Sequence, residues 1–599
     1  MPKWVTPTNY ITHKSALTNA KDGYGYLLVD YQHNVETKTL YTHIAIKVIN
    51  FQGIQNASQI SIGYSPLYQK IVFHDISINR NGKIISCLNL SKIKSIQREE
   101  DLERHMYNSS ETAFLALENV QKGDVIEYSY SKVGDNPLFK NNYADVFDLE
   151  YSVPIGCLAI KINANKNRKL NFKYYTNTIN PTITSVGEEV SYTWLFNNLQ
   201  AKVFEDDLPS WYKTYNGIEV TDFTNWKSVR EWAENIYKEA TNEPFKDKEV
   251  LNKINSNAKN TSEKILQAVH IVQDEVRYFG FESGINGIKP HSPNAVYNQR
   301  FGDCKDKSVL LCAILKAIGV EAYVTLIHSN AGFDLPNRLP SPYQFNHAIV
   351  AYKLEGALSF IDPTMNLQGG DLNDLYVPNY HYGLVLNGKG EALTAMRYRN
   401  TGKKSIEYHY YVQDFLKPTI LKVKTIYTGS DADEMRYTMS VNNYEETKQS
   451  YIDFYARLYP EIEVKDSIRF KEININEIEV TESYTVPNLW KKTEADSNTV
   501  TAEFMPFLVA DALSLPATKT RKKPMYLKYP VNVTENVYIH VPKKWEIEIT
   551  DDEIKTDYLD YSAKYRSVDG GKTIAIYYSL TTLVDSISVA QTNDALKNI

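Results

Sequence analysis

The sequence is poor in cysteine and has no long apolar run. Its 599 residues include only four cysteines, which are Cys87, Cys157, Cys304 and Cys312. Four are too few for a disulfide framework, and no two form a CxxC pair, so we expect no structural zinc site of paired cysteines. No stretch reaches the roughly 18 uninterrupted apolar residues of a membrane helix, because Lys316 and Glu321 interrupt the best candidate, 309–324.

No block of like charge stands out either. The chain has 66 basic and 72 acidic residues and a formal net charge of -6, which indicates neither a nucleic-acid partner nor an anionic membrane surface. Hydrophobic residues make up 43% and charged residues 23%, which excludes disordered and collagen-like chains. Residues 1–7 lack the apolar segment of a signal peptide, so none is expected at this N-terminus.

The residue pattern changes twice along the chain. Residues 25–201 show the period-2 alternation of half-buried strands, with a hairpin predicted at Asn81-Gly82. Helices are predicted over 226–240, 262–279 and 304–318, followed by short β-runs at 322–327, 347–352 and 358–361. From about residue 405 β-patterning returns, with one helix at 444–458 and a hairpin turn at 569–571.

One segment of the helical middle points to chemistry. The predicted helix at 304–318 has Asp303 in front of it and Gly319 behind it, and both are capping signals. Cys304 is therefore its first residue, where unpaired N–H groups and the helix dipole favour an anion. Since the thiolate is the reactive form of cysteine, Cys304 is placed as a nucleophile should be. Lys305 and Lys307 add positive charge.

A nucleophilic cysteine needs a base, and the base needs an orienting group. His347 opens one predicted strand and Asp362 follows the next, with a tight loop centred near residue 355 between them. This hairpin places His347 opposite a residue within one or two positions of Asp362, and such neighbours have Cβ atoms about 4.5–5.5 Å apart. A carboxylate there can hold the imidazole in the tautomer that leaves one nitrogen for the thiol.

These strings resemble a known family. Gly-Asp-Cys-Lys-Asp-Lys at 302–307, Phe-Asn-His at 345–347 and Ile-Asp-Pro-Thr at 361–364 are similar, in the same order, to the transglutaminase-like core of bacterial proteins. Gln-Arg-Glu-Glu at 97–100 and Gly-Asp-Val-Ile-Glu-Tyr at 123–128 resemble a domain of unknown function that often precedes such cores. The run that begins Arg-Lys-Lys-Pro-Met at 521–525 resembles the β-domain that commonly follows.

The resemblance implies a multidomain α+β protein with a papain-like thiol site. The expected parts are an N-terminal antiparallel β-sandwich (1–215), a transglutaminase-like core (216–400) and a C-terminal β-rich domain (401–599). It carries over a catalytic triad of Cys304, His347 and Asp362, and implies a periplasmic or cell-surface location. The expected substrate is a peptide or protein amide, without cofactor or metal.

Several alternatives stay open at this stage. Hydrolysis is favoured over transamidation because it needs no second binding site, and the competing hypothesis is a catalytically silent adaptor that binds proteins or glycans through its β-domains. Tyr278 is a candidate for the second oxyanion donor. The other cysteines are interpreted as structural, Asp303 and Asp306 as helix-capping residues, and the Tyr408–Tyr410 stripe as strand residues in preference to a binding groove.

Overall fold

The computed structural model describes most of the chain. The described residues are 1–10, 17, 20–97, 106–107, 109–176, 178–281, 284–390, 392–398, 402–493, 499–513 and 521–598. The Arg98-Glu99-Glu100 part of the string at 97–100 lies outside them.

Strands build the N-terminal region, together with one short helix, α1 (Phe51–Ala57). In chain order the strands are β1 (Tyr24–Asn34), β2 (Thr39–Val48), β3 (Gln59–Tyr64), β4 (Lys70–Arg80), β5 (Lys83–Ser86), β6 (Lys94–Gln97), β7 (Met106–Tyr107), β8 (Glu111–Ala116), β9 (Val125–Val133), β10 (Ala144–Asp148), β11 (Ile155–Asn165), β12 (Asn171–Tyr174), β13 (Thr182–Val186), β14 (Glu189–Leu199) and β15 (Gly217–Thr221).

The main N-terminal sheet has the order β13-β14-β11-β1-β2-β9-β4-β5, and the smaller sheets β3-β8-β6 and β10-β15-β12 share one apolar core with it. The predicted hairpin at Asn81-Gly82 is confirmed, with both residues at positive φ between β4 and β5. One pairing departs from the expected antiparallel pattern, because β1 and β11 are parallel. Parallel neighbours require a long crossover, and the chain between these two strands supplies it.

The middle of the chain is α+β. Its helices are α2 (Trp226–Asn242), α3 (Lys248–Asn257), α4 (Thr261–Glu275), α5 (Pro293–Gln299) and α6 (Cys304–Ala317). Its strands are β16 (Arg277–Tyr278), β17 (Gly280–Phe281), β18 (Phe301–Gly302), β19 (Ala322–Ile327), β20 (His347–Leu354), β21 (Ala357–Ile361), β22 (Tyr382–Val385) and β23 (Thr394–Ala395).

Helix α6 is the centre of this region. It is buried from Cys304 to Leu315 and packs against α2, α4, α5 and the sheet β21-β20-β19-β22-β23. The predicted helix at 262–279 is wrong at its C-terminal end, because α4 stops at Glu275. The chain turns extended at Val276, and β16 then pairs in parallel with β18. That pairing satisfies backbone groups which a longer helix would have bonded internally.

The C-terminal region is again mostly strands. They are β24 (Lys403–Tyr411), β25 (Thr419–Thr428), β26 (Glu463–Asn474), β27 (Glu477–Val486), β28 (Lys491–Lys492), β29 (Val500–Thr501), β30 (Met525–Tyr526), β31 (Asn532–His540), β32 (Asp551–Lys555), β33 (Leu559–Val568), β34 (Thr573–Thr582) and β35 (Ser586–Ile587). The helices are α7 (Ser430–Val441), α8 (Tyr444–Ala456), α9 (Phe507–Ala512) and α10 (Val589–Asn598).

The large C-terminal sheet has the order β26-β27-β25-β24-β31-β34-β33-β32. Tyr408 and Tyr410 are buried in its core, as the strand interpretation expects, and they are not open to a ligand groove. The division at 215/216 and 400/401 stays a prediction, although β15 belongs to an N-terminal sheet and favours a first boundary after Thr221.

The C-terminal region also contacts the N-terminal one. Arg521, the first residue of the Arg-Lys-Lys-Pro-Met string, is buried and donates to the backbone carbonyl of Asp206 at 2.6 Å. The carboxylate of Glu205 accepts the backbone N–H groups of Lys522 and Lys523. None of the helices among the described residues combines the length and apolar character that crossing a bilayer requires.

A buried carboxylate on β27 makes stability in this region depend on pH. Glu482 is 4% exposed, and its Oε2 accepts the Tyr484 hydroxyl at 2.6 Å. Burial raises the pKa of Glu482 from 4.5 to about 7, despite opposing hydrogen bonds from Tyr484 and Tyr455. Because the folded state prefers the protonated acid, its contribution to stability is present below pH 4.5 and is lost as the pH rises through 7.

We therefore expect the Tm of the wild type to fall between pH 5 and pH 8, and the fall to be smaller by about 3 °C or more in Glu482→Gln. Differential scanning calorimetry across this pH range measures the effect. Glu477→Gln, at the start of the same strand, is the matched control. Equal pH dependence in the wild type and Glu482→Gln would contradict the expectation.

Candidate active site

The start of α6 is fixed by its cap. The Asp303 side chain accepts the backbone N–H groups of Lys305 and Asp306 at 3.1 and 3.2 Å, so it is the N-cap predicted from the sequence. A glycine precedes it for a steric reason, because a Cβ on Gly302 would lie 2.7 Å from that of Asp306. Cys304 is therefore the first residue of the helix, and it is 9% exposed.

The strand that carries His347 is attached directly to this helix. The Ser308 hydroxyl on α6 donates to the Ala348 carbonyl of β20 at 2.9 Å, and both groups are buried. The predicted hairpin between β20 and β21 is confirmed, with Leu354 paired to Ala357 across a two-residue turn. Glu355 and Gly356 adopt positive φ there, as such a turn requires.

The imidazole of His347 lies between the thiol and the carboxylate. Its Nε2 is 2.9 Å from Oδ2 of Asp362, and the ring lines the same cavity as the side chain of Cys304, which acts on its pKa. Because Nε2 is occupied by the carboxylate, Nδ1 is the nitrogen left for the sulfur. The three predicted residues thus meet in one place, although Cys304 and Asp362 are far apart in sequence.

Asp362 is held as an anion. Its Oδ1 accepts the backbone N–H and the hydroxyl of Thr364 at 2.9 and 2.6 Å, and its Oδ2 accepts the Tyr380 hydroxyl at 2.7 Å. Burial acts to raise the pKa of Asp362, but the His347 ring and these hydrogen bonds outweigh it and lower the pKa to about 2. The carboxylate is 1% exposed and fully hydrogen-bonded.

The charge of this carboxylate acts on the imidazole. Burial alone would lower the pKa of His347, but attraction to Asp362 and the hydrogen bond with Cys304 raise it to about 11. The arrangement therefore favours an imidazolium beside the sulfur. Such a ring stabilises negative charge on the sulfur and can donate a proton from Nδ1.

A buried lysine connects the helix that carries Cys304 to helix α4. Lys307 has no exposed surface, and its Nζ donates to the carbonyls of Gln273 and Val276 at the C-terminal end of α4. Burial lowers the pKa of Lys307 to about 8, while attraction to Asp362 and Asp274 opposes that effect. The Gln273 side chain donates in turn to the Asp362 carbonyl at 2.9 Å. Helix α4 is thereby tied to both α6 and the Asp362 backbone.

Asp306 does not have the capping role expected from the sequence. Its carboxylate accepts the backbone N–H of His291 at 2.8 Å and lies 3.1 Å from the His291 Nδ1. Asp306 therefore holds the segment that leads into α5.

Cys304 and His347 open into a cavity of about 260 Å³, which we call the thiol cavity. Most of the other side chains around it are aromatic or aliphatic: Phe139, Trp232, Ile288, Leu326, Pro342, Tyr343 and Phe345. Phe139 comes from the N-terminal region, and Pro342, Tyr343 and Phe345 from the segment that leads into β20. The N-terminal region therefore forms part of the wall around the thiol.

A buried charge network holds that segment in place. Glu219 of β15 is 2% exposed and accepts from the Arg338 guanidinium, the Gln344 amide and the Leu339 backbone N–H at 3.2, 3.2 and 2.9 Å. The Tyr175 hydroxyl donates to it at 2.7 Å. One N-terminal carboxylate thus fixes the backbone that precedes His347.

Sequence reasoning missed several of these residues. Thr364 could have been found, because a threonine two residues after an aspartate commonly donates back to it. Tyr380 and Glu219 reach the site through tertiary contacts that leave no local signal. Tyr278 lies beside Gly302 in the β16–β18 pairing, and its role as an oxyanion donor stays a prediction. Tyr237 of α2 lines the thiol cavity, and burial, with the charge of Cys304, raises the pKa of its hydroxyl.

Two family models match the chain. Residues 248–354 match the transglutaminase-like superfamily, and residues 34–203 match DUF3857, described as a domain of unknown function with a solved structure. The chain thus contains a segment that matches the transglutaminase-like core and, before it, a segment that matches DUF3857. No curated protein matches the chain by sequence.

A solved structure shares the overall fold. A candidate protease from Parabacteroides distasonis ATCC 8503 aligns over 96% of both chains with a TM-score of 0.62 at 11% identity. A candidate cysteine protease from Cytophaga hutchinsonii aligns with 54% of this chain and 75% of its own, at 13% identity and a TM-score of 0.15. The first shows the same multidomain architecture, and the second is too distant to support an argument.

The charge network predicts a measurable coupling between the N-terminal region and the core. Glu219→Gln and Arg338→Met should each lower the Tm by about 3 °C or more, because each substitution leaves the other residue as a buried charge without its counter-charge. The double variant should lose clearly less than the sum, since the two residues interact directly.

The exposed pair Lys353 and Glu321, at 2.7 Å, provides the control for this thermal double-mutant cycle. Its charge-removing variants should show no coupling, because exposed ion pairs contribute little. Additive losses at Glu219 and Arg338 would mean that the network does not hold the segment before His347.

Proposed function

We propose that the protein is a thiol-dependent acyl-transfer enzyme that acts on peptide or protein amide bonds, with Cys304, His347 and Asp362 as its catalytic residues. The observation that carries the proposal is the position of the His347 imidazole, which lines the same cavity as Cys304 and is hydrogen-bonded through Nε2 to the buried, anionic Asp362. The likeness to transglutaminase-like proteins supports the same chemistry.

In the first half-reaction His347 holds the proton of the thiol at Nδ1 as an imidazolium, and the sulfur attacks the carbonyl carbon of the amide. A C–S bond forms while the carbonyl π-electrons move to the oxygen. The tetrahedral intermediate then collapses, the C–N bond breaks, and His347 gives its proton to the leaving amine. The product is a thioester on Cys304, and Asp362 keeps the ring oriented throughout.

In the second half-reaction His347 takes a proton from water, and the hydroxide attacks the thioester. Collapse releases the carboxylic acid and restores the thiol. We favour water over an amine as the acceptor, because hydrolysis requires no second binding site for an acceptor chain. His347 protonates the leaving amine and deprotonates the water through the same nitrogen, Nδ1.

The oxyanion requires hydrogen-bond donors. The backbone N–H of Cys304 is the first of α6, and the first N–H groups of a helix have no acceptor within it. We assign it as one donor. Tyr237, which lines the thiol cavity together with Cys304, is a candidate for the other, alongside Tyr278. A periplasmic or cell-surface location is part of the proposal and rests on the resemblance.

The first prediction concerns thiol reactivity. At pH 6 iodoacetamide should alkylate Cys304 about tenfold or more faster than a free thiol, because the raised pKa of His347 keeps an imidazolium beside the sulfur. Mass spectrometry of the digested protein identifies the labelled cysteine. His347→Ala should lose the rate advantage, while His270→Ala, on the solvent side of α4, should keep it. Labelling of Cys304 at the free-thiol rate would contradict the proposal and favour the adaptor hypothesis.

The second prediction separates chemistry from packing. Cys304→Ser should abolish peptide hydrolysis and leave the Tm within about 2 °C, because serine has nearly the same size as cysteine and residue 304 borders the thiol cavity at the helix start. Cys312→Ser is the matched control, since Cys312 is 1% exposed in the apolar part of α6. It should lower the Tm and retain activity. The reverse pattern, a large drop in Tm for Cys304→Ser with activity retained, would contradict the catalytic role of Cys304.

A further inference from the structure

The thiol cavity has a composition that limits what it can bind. Three aromatic rings form one wall: Phe139 stacks on Trp232 with centroids 5.5 Å apart and on Tyr343 with centroids 5.0 Å apart. We call these three residues the aromatic stack. Phe139 is 3% exposed, and the Trp232 indole N–H donates to the Leu138 carbonyl at 2.9 Å. The wall is therefore rigid and held from both the N-terminal region and α2.

The charges around the cavity are already paired. Lys305 lines it, but its ammonium group forms a buried ion pair with the capping carboxylate of Asp303. His347 is paired with Asp362. No carboxylate occurs among the described residues that line the cavity. A cationic substrate group would find no carboxylate there and would be repelled by His347 and Lys305, while an anionic group would lose its hydration among aromatic rings.

The size of the cavity sets a second limit. At about 260 Å³ it is smaller than the roughly 300–1,000 Å³ of pockets that enclose a whole drug-sized ligand. It therefore accommodates a part of a substrate, such as one large side chain. Cys304 and His347 lie in its wall, so that side chain belongs to a residue at or next to the amide that is attacked.

Two polar cavities adjoin the aromatic stack. Tyr343 also lines a cavity of about 290 Å³ with Lys132, Asp135 and Arg168. Trp232 also lines one of about 490 Å³, which includes Lys289. An extended chain whose apolar side chain enters the thiol cavity would thus place its neighbouring residues against charged and polar surface. This arrangement suits a peptide better than a small isolated amide.

We propose that the thiol cavity is a specificity pocket for one large apolar side chain, aromatic or branched aliphatic, of a peptide substrate, and that the N-terminal region sets this preference through Phe139. The proposal rests on the proposed function, since it assumes that Cys304 attacks the substrate. It assigns a substrate class, peptides with a bulky apolar residue beside the scissile bond. The DUF3857 domain becomes part of the substrate site.

Peptidyl vinyl sulfones test the pocket without requiring turnover, because the thiolate adds to the activated double bond and forms a stable C–S bond. The probes carry Phe, Leu, Ala, Lys or Glu at the residue next to the warhead, and labelling of Cys304 is followed by mass spectrometry. The rate for each probe is divided by that for iodoacetamide, which has no side chain to place. We expect the Phe and Leu probes to label about tenfold or more faster than the Ala, Lys and Glu probes.

Two variants change the pocket. Ile288→Trp fills it and should remove the preference for Phe over Ala, whereas Ile285→Trp, on the exposed side of the same turn (38% exposed), should keep it. Tyr343 is 55% exposed, so Tyr343→Ala should leave the fold intact and reduce the preference by about three- to tenfold.

The outcomes distinguish the two proposals. Equal normalised rates for the Phe, Ala and Lys probes, or identical behaviour of Ile288→Trp and Ile285→Trp, would overturn the specificity pocket while a fast iodoacetamide reaction leaves the proposed function standing. A preference for the Glu or Lys probes would also overturn it. Failure of iodoacetamide to label Cys304 faster than a free thiol would overturn the proposed function itself.

Discussion

The contact between the buried Asp362 carboxylate and the His347 imidazole is the interaction on which the site depends. A carboxylate removed from water remains charged only if its oxygens are hydrogen-bonded and a cation is near. Thr364, Tyr380 and the His347 ring meet this requirement. In return the anion fixes which nitrogen of the ring faces the sulfur and raises the affinity of the ring for a proton.

The surrounding structure holds that contact against Cys304. The sulfur lies at the N-terminus of helix α6, because Cys304 is the first residue of that helix. The hydrogen bond from Ser308 to Ala348 connects the helix to the strand that begins at His347. Lys307 uses its buried ammonium group to bind the end of α4. The site is therefore supported by secondary structure on two sides. On a third side the N-terminal region supplies Glu219 and Phe139.

Local signals predicted much of this arrangement. The Asp303 cap, the β20–β21 hairpin and the start of α6 follow from residue types at fixed spacings, and the structure agrees with them. Predictions failed where a tertiary contact overrode the local pattern. Helix α4 ends early because β16 pairs with β18, and Asp306 bonds to His291 where a capping role was expected.

Other features had no sequence signal that we could use. The aromatic stack joins three segments that lie far apart in the chain, and each ring alone is an ordinary apolar residue. Glu219 and Arg338 are 119 residues apart in the chain, and neither lies in a recognisable motif. Such contacts depend on how the N-terminal sheets dock on the core. A single sequence does not encode that docking in local periodicity.

Trapping the covalent intermediate tests the central claim most directly. A peptide substrate is mixed with the protein, the reaction is stopped in acid within seconds, and the mass of the proteolytic fragment that contains residue 304 is measured. The account predicts that this fragment gains the mass of the acyl part of the peptide through a thioester that hydroxylamine removes. Peptide cleavage that continues in Cys304→Ser, or an acyl adduct on a different residue, would contradict it.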